Sequence, residues 1–239
     1  DINTFQASHP EETYGSMEIA DRLICLHDRV ARSIPRRFHK KLHIIQQSAP
    51  PICRKPQIQR CFEIVVVGHL RDEKDPMRAA KAVGNLPVTS QIQILHMGKA
   101  IDETHRRNAL AEMERNPRYN WVGEVPRWKV RQKMARARAM IISSRQEGGA
   151  NVVSEAIMAG LPVIASKIDG NIGLLGTNYN GYYPTEDTQA LTKLLIRTEN
   201  DLTFLKKLSK QIRALKPQFT EKRELTSWET LLNSLTRLS

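Results

Sequence analysis

Residues 139–166, AMIISSRQEGGANVVSEAIMAGLPVIAS, narrow most what this chain can fold into. An apolar run, Ala139 to Ile142, ends in small polar residues, the pattern of a buried parallel strand meeting a loop. Glu147, Gly148 and Gly149 occupy that loop. A helix is expected from about Asn151 to Ala159, closed by Gly160 with Pro162 beyond it. Val163 to Ala165 starts the next strand. The stretch is a β-loop-α-β unit, which requires a parallel sheet around it.

Its chemistry follows from the loop. Paired glycines before a helix let backbone approach a ligand closely, and free N–H groups at the helix start suit a phosphate. Glu147 is placed to grip sugar hydroxyls. Glu155, about one turn into the helix, is placed to take a vicinal diol such as a ribose. Either acid alone is equally well explained as a complement to the helix dipole or a solvated loop residue. Their combination with the glycines favours a ligand site.

The rest of the chain supplies the sheet. Strands are expected at Cys61–Val67, Gln91–Met97 and Tyr119–Gly123, and helices at about 75–83, 103–115 and 128–137. This alternation predicts an α/β fold with a doubly wound parallel sheet. Helical periodicity returns over 188–197, 201–215 and 221–238. The last helix carries an apolar stripe of Leu225, Trp228, Leu231, Leu232 and Leu235. Before the sheet, short strands at Arg22–Leu26 and Leu42–Gln46 flank a basic helix-like segment, 28–41. Two strands cannot close a core alone. Pro50, Pro51 and Pro56 mark a stiff polar linker over 50–60. Gly170, Gly173 and Gly176 predict a flexible loop over the cleft.

Composition excludes several classes. No apolar run is long enough to span a bilayer, and stable membrane insertion is not expected. Three cysteines, Cys25, Cys53 and Cys61, have no metal-ligand spacing, which fits free thiols in a reducing cytosol and no metal site. A net charge of +12 raises nucleic acid as a partner. However, the basic residues are dispersed and aromatics too few for a stacking platform, so a cleft for an anionic small molecule fits better.

Arg71 and Lys74 follow a strand end, where open α/β sheets bind ligands, so two cations there can neutralise a diphosphate. The alternative is a solvated charged turn, RDEKD. His96, near the end of an apolar strand, is expected to be a satisfied core histidine. Gly98 after it would open the sheet edge to a ligand.

The run from Glu147 to Ser166 resembles the donor-site signature of GT-B glycosyltransferases of the family 4 type. The resemblance implies that Glu147 contacts the donor sugar and Glu155 the nucleotide ribose. It implies that the backbone of Gly148, Gly149, Ala150, Asn151, Val152 and Val153 holds pyrophosphate or sugar. The family pattern G-R-L-x3-K is matched by Lys74, but His69 stands at the arginine position and Arg71 follows two residues later. Which of those two reaches the diphosphate stays open. The loop at Gly123 resembles one whose backbone lines the base pocket.

The segment ADRLICLHDRVARSIPRRFHKKLHIIQQSAP resembles the end of the N-terminal, acceptor-side Rossmann-like domain, whose first strands the chain lacks. The implied division is 1–49 as remnant, 50–60 as linker, 61–215 as donor-binding domain and 216–239 as a helix packing back on the N-terminal side. With that domain short, part of the apolar stripe is expected to be exposed or to mediate self-association.

VGHLRDEKDP, NPRYNWVGE, SRQEGGANVVSEAI and GLLGTNYNGYYP together resemble the selenosugar synthase branch of selenoneine biosynthesis. That branch implies transfer from UDP-N-acetylglucosamine or UDP-glucose to selenophosphate, forming a C–Se bond without a cofactor or metal. Two alternatives remain: an ordinary glycan or lipid glycosyltransferase, and a UDP-sugar-binding module without turnover.

Overall fold

A computed structural model describes residues 2–55 and 61–236. Helices α1 (Ile2–Ser8) and α2 (Pro10–Ile19) precede β1 (Leu23–Cys25) and β2 (Leu42–Ile44). These two strands pair in parallel, with Leu23 opposite Leu42. Between them, the expected helix is instead two 3-10 segments, Asp28–Arg32 and Arg36–Lys41. Pro35 explains the break: it disfavours a helical Ile34 and offers no N–H of its own.

The main sheet follows as β3 (Phe62–Val67), α3 (Arg78–Gly84), β4 (Ile92–Met97), α4 (Glu103–Arg115), β5 (Tyr119–Trp121) and α5 (Arg127–Arg136). It continues with β6 (Ala139–Ile142), α6 (Asn151–Ala159), β7 (Val163–Ser166), α7 (Asp169–Leu175) and β8 (Tyr182–Tyr183). Helices α8 (Thr188–Asn200), α9 (Leu202–Leu215) and α10 (Glu221–Thr236) complete the described chain. The strand order is β5-β4-β3-β6-β7-β8, all parallel. The chain therefore reverses its winding between β3 and β6, where a doubly wound sheet opens a crevice at the strand carboxyl ends.

Strand alternation builds a core on each face. Val65, Leu95, Met140 and Val163 pack with α6 and α9 on one side. Ile64, Ile94, Ile141 and Ile164 pack with α3 and α8 on the other. Each fully buried aliphatic side chain of this kind contributes roughly 2 kcal/mol. A smaller cluster of Met17, Ile34 and Phe38 holds the β1–β2 unit.

Three further sequence expectations change. The glycine-rich 168–176 segment is helical rather than a flexible loop. Gly170 and Gly173 are there for close approach: an added Cβ would lie 2.2 Å from the Glu147 carbonyl oxygen or 2.4 Å from the His27 ring. Leu174 and Leu175 are buried, which anchors the helix. The polar linker is partly core, since Ile52 is buried with Ala49 just before it. Arg54 donates to the carbonyls of Met134 and Ala137 at 2.7 and 2.5 Å, capping the end of α5. Pro56 and residues 56–60 lie outside the described residues. The apolar stripe of α10 splits: Leu231 is buried, whereas Leu225 and Leu232 are exposed. Glu224 of α10 accepts the Ser48 amide at 2.8 Å, tying that helix to the strap after β2. Leu238 lies outside the described residues.

His96 is the satisfied core histidine expected. Tyr119 donates its hydroxyl to Nδ1 at 2.8 Å, and Nε2 donates to the Gly68 carbonyl at 3.1 Å. Burial pushes its pKa down to about 4, against a smaller upward pull from the Gly68 hydrogen bond. The unfolded chain, with histidine near 6.5, takes up a proton that the folded one refuses. Stability attributable to His96 is therefore present above about pH 6.5 and lost as pH falls toward 4, by roughly 3 kcal/mol. Urea unfolding from pH 7 to pH 4.5 should show a shallower loss of stability in His96→Gln than in wild type. An identical slope would contradict this account.

Candidate functional site

Two loops meet at the crevice, one after β3 and one after β6. Their backbones are stitched together. The Arg145 amide donates to the Glu73 carbonyl at 2.8 Å, and the Ser143 hydroxyl lies 3.0 Å from the carbonyls of both Lys74 and Asp75. Asp75 takes a left-handed conformation (φ 45°), which Asp tolerates better than most residues, and binds Arg78 at 2.6 Å. The turn presenting Lys74 is thus fixed from both sides.

Lys74 forms an ion pair with Glu147. The Glu147 side chain is only 8% exposed, and the Ser144 hydroxyl donates to the same carboxylate oxygen at 2.6 Å. A buried carboxylate needs such compensation. Lys74 remains 21% exposed and faces a cavity of about 310 Å³. His69, Arg71, Glu124, Ala150, Asn151 and Val152 line it too. The candidate cations and the start of α6 therefore share one volume. Arg71 pairs with Glu73 at 2.9 Å and is 42% exposed. His69 accepts the Lys99 amide on Nδ1 at 3.0 Å, which fixes its ring.

The start of α6 has no side-chain cap. The Val153 amide is engaged by the Ala150 carbonyl at 2.8 Å, and the Val153 side chain is in the core. That leaves the amides of Gly148 through Val152 better placed to meet a ligand. Gly149 has φ +138°, and a Cβ there would lie 2.5 Å from Leu26, so the loop lies directly on the β1 unit. Gly123, at φ +70°, turns the chain just before cavity-lining Glu124 and Val125.

Of the other candidates, Glu147, Gly148, Gly149, Val153 and Gly123 are not in the lining of this cavity. Neither is Glu155, which is 5% exposed; Arg127 grips its Oε1 through Nε and Nη2 at 2.9 and 2.7 Å. This partner was missed in the sequence, although a signal existed: a cation in the first turn of α5 opposes the helix dipole and calls for an acid elsewhere. Ser144 was seen only as a small strand-end residue.

The family model described as "Glycosyl transferases group 1" matches residues 54–215. The chain belongs to this family. It is a glycosyltransferase by that membership, and its parallel sheets give the GT-B-like class expected from sequence. No curated protein sequence matches it. Among solved structures, Anabaena Alr3699/HepE in complex with UDP and glucose superposes with a TM-score of 0.79 at 16% identity, over 97% of this chain and 67% of that one. Sucrose-phosphate synthase from Thermosynechococcus elongatus gives 0.82 at 20% identity, over 98% and 64%. The pneumococcal O-GlcNAc transferase GtfA, in complex with UDP and GlcNAc, gives 0.75 at 18% identity, over 96% and 48%. The chain thus spans about two thirds or less of these neighbours' lengths. Among the described residues, no helix is long and apolar enough to cross a membrane.

The Arg127–Glu155 contact is testable by itself. Arg127 is 63% exposed, so solvent screens the pair. A double-mutant cycle of Arg127→Met and Glu155→Gln should give a coupling of about 1 kcal/mol in urea unfolding. Zero coupling would remove the contact.

Proposed function

We propose that the chain binds a UDP-sugar at the Lys74–Glu147 crevice and transfers its sugar. The observation that carries this reading is the pairing of buried Glu147 with Lys74 where the winding of the sheet reverses, the lysine lining a cavity beside the uncapped start of α6. Lys74, with His69 or Arg71, meets the diphosphate. Negative charge on it grows as the sugar–phosphate bond breaks, so a fixed cation stabilises the transition state more than the ground state. No metal is required for this in our reading, because the cations and helix amides supply the positive field. Glu147 takes sugar hydroxyls, and the Gly123 to Val125 turn borders the base. Glu155 takes the ribose, which requires it to exchange Arg127 for the diol or to hold both. Residues 61–215 form the donor-binding unit, with α10 returning toward the N-terminal segment. The Anabaena structures, in complex with UDP and glucose and with UDP-glucose, support UDP as the nucleotide and glucose as a donor sugar.

We propose selenophosphate as the acceptor. The support is the resemblance of four segments, VGHLRDEKDP among them, to the selenosugar synthase branch. Supplying the protein with UDP-glucose or UDP-N-acetylglucosamine and selenophosphate should release UDP. Release only with saccharide or lipid acceptors would reassign the chain to ordinary glycan or lipid transfer, and UDP binding without release would reduce it to a binding module. In calorimetric titration with UDP, Lys74→Ala and Glu155→Ala should each weaken binding by about 1–3 kcal/mol. Unchanged affinity in Lys74→Ala would refute the donor site.

A further inference from the structure

Arg127 stands in an unfavourable place for a cation. It occupies the first turn of α5, where unpaired helix N–H groups repel positive charge, and that turn has no acid and no side-chain cap. Its side chain is 63% exposed, so holding it in one conformation costs entropy that a solvated arginine keeps. One contact offsets both costs, the grip on Glu155.

That grip is one-sided. An arginine neutralising a carboxylate commonly lays its fork along both oxygens. Here Nε and Nη2 both donate to Oε1, at 2.9 and 2.7 Å. Oε2 accepts no hydrogen bond among the described residues and is not sealed from solvent. Glu155 is 5% exposed, and a carboxylate so far removed from water needs donors on both oxygens. It is half satisfied, with one oxygen left to offer.

The pair also joins the two sides of the cavity of about 310 Å³. Val125 and Val130 line one side, and Arg127 lies between them, one turn before Val130 on α5. Asn151 and Val152 line the other, and Glu155 follows one turn on along the same face of α6. The carboxylate therefore lies one helical turn behind the cavity lining, and the arginine bridges α5 to α6 there.

We propose that Arg127 is a positioning residue for the nucleotide: it stays on Oε1 when the donor binds and so presents Oε2 to the ribose hydroxyls. The ligand class this selects is a ribonucleotide over its 2′-deoxy counterpart. The proposal rests on the donor reading above, which brings a ribose to Glu155. With Oε1 pinned, the carboxylate cannot turn. A hydroxyl donating to a fixed, charged acceptor makes a strong hydrogen bond, which the deoxy analogue forfeits. An arginine that only neutralised Glu155 would act on both nucleotides alike. An arginine that the ribose had to displace would, once removed, leave the nucleotide binding more tightly.

The test is calorimetric titration of the whole chain with UDP and with 2′-deoxy-UDP. The wild type should bind UDP about tenfold more tightly than the deoxy analogue. In Arg127→Met that ratio should fall to about one, through loss of UDP affinity. Arg127→Lys keeps the charge but not the two-point grip; it should lower the ratio as well, and it carries the test if the methionine variant fails to fold. A wild-type ratio in either variant overturns the proposal, including the case in which both affinities fall together. Equal affinity of the wild type for the two nucleotides also overturns it. So does tighter UDP binding by Arg127→Met, which would make the arginine an occupant of the ribose site. These outcomes leave the donor reading intact as long as UDP binds and Lys74→Ala weakens it. A wild type that does not bind UDP refutes that reading, and the proposal with it.

Discussion

A carboxylate almost removed from water has to be compensated, and the placement of Glu147 makes that demand on the rest of the site. Lys74 and Ser144 meet it. They come from the ends of β3 and β6, adjacent in the sheet but far apart in sequence, so the pair exists only because the order is β5-β4-β3-β6-β7-β8. The stitching of Arg145 to Glu73 and of Ser143 to the Lys74 and Asp75 carbonyls then holds both loops in register. On the donor reading proposed above, an entering diphosphate would compete with Glu147 for the lysine, so that donor binding would redistribute the charge of this pair without importing a new cation.

Much of this was legible in the chain. Short runs such as IVVV and AMII, bounded by turn residues and spaced with helical segments, fit strands of a buried parallel sheet. Lys74, Glu147 and the glycine pair were identifiable because their chemistry is local to two loops. What escaped depended on neighbours in space. Gly170 and Gly173 suggested flexibility, but they are small because Glu147 and His27 press against them. Arg127 lies 28 positions before Glu155, and nothing local to the α6 helix announces it. Pro35 lies inside the segment expected to be helix-like and divides it into two 3-10 turns.

The N-terminal segment is more than an attachment. Leu26 lies on Gly149, His27 on Gly173, and Arg29 on Asp169 at 2.8 Å. Each contact falls on a loop or helix bordering Glu147. The shape of the Glu147 loop is therefore set jointly by the main sheet and by the short β1–β2 unit, and a shift of that unit would reach it directly.

The account stands or falls on where the nucleotide sits. A crystal structure with UDP bound tests this most directly. We expect a diphosphate oxygen about 3 Å from the Lys74 ammonium, with the uracil beside the Gly123–Val125 turn. A diphosphate lodged elsewhere, with the Lys74–Glu147 pair undisturbed, would contradict the account.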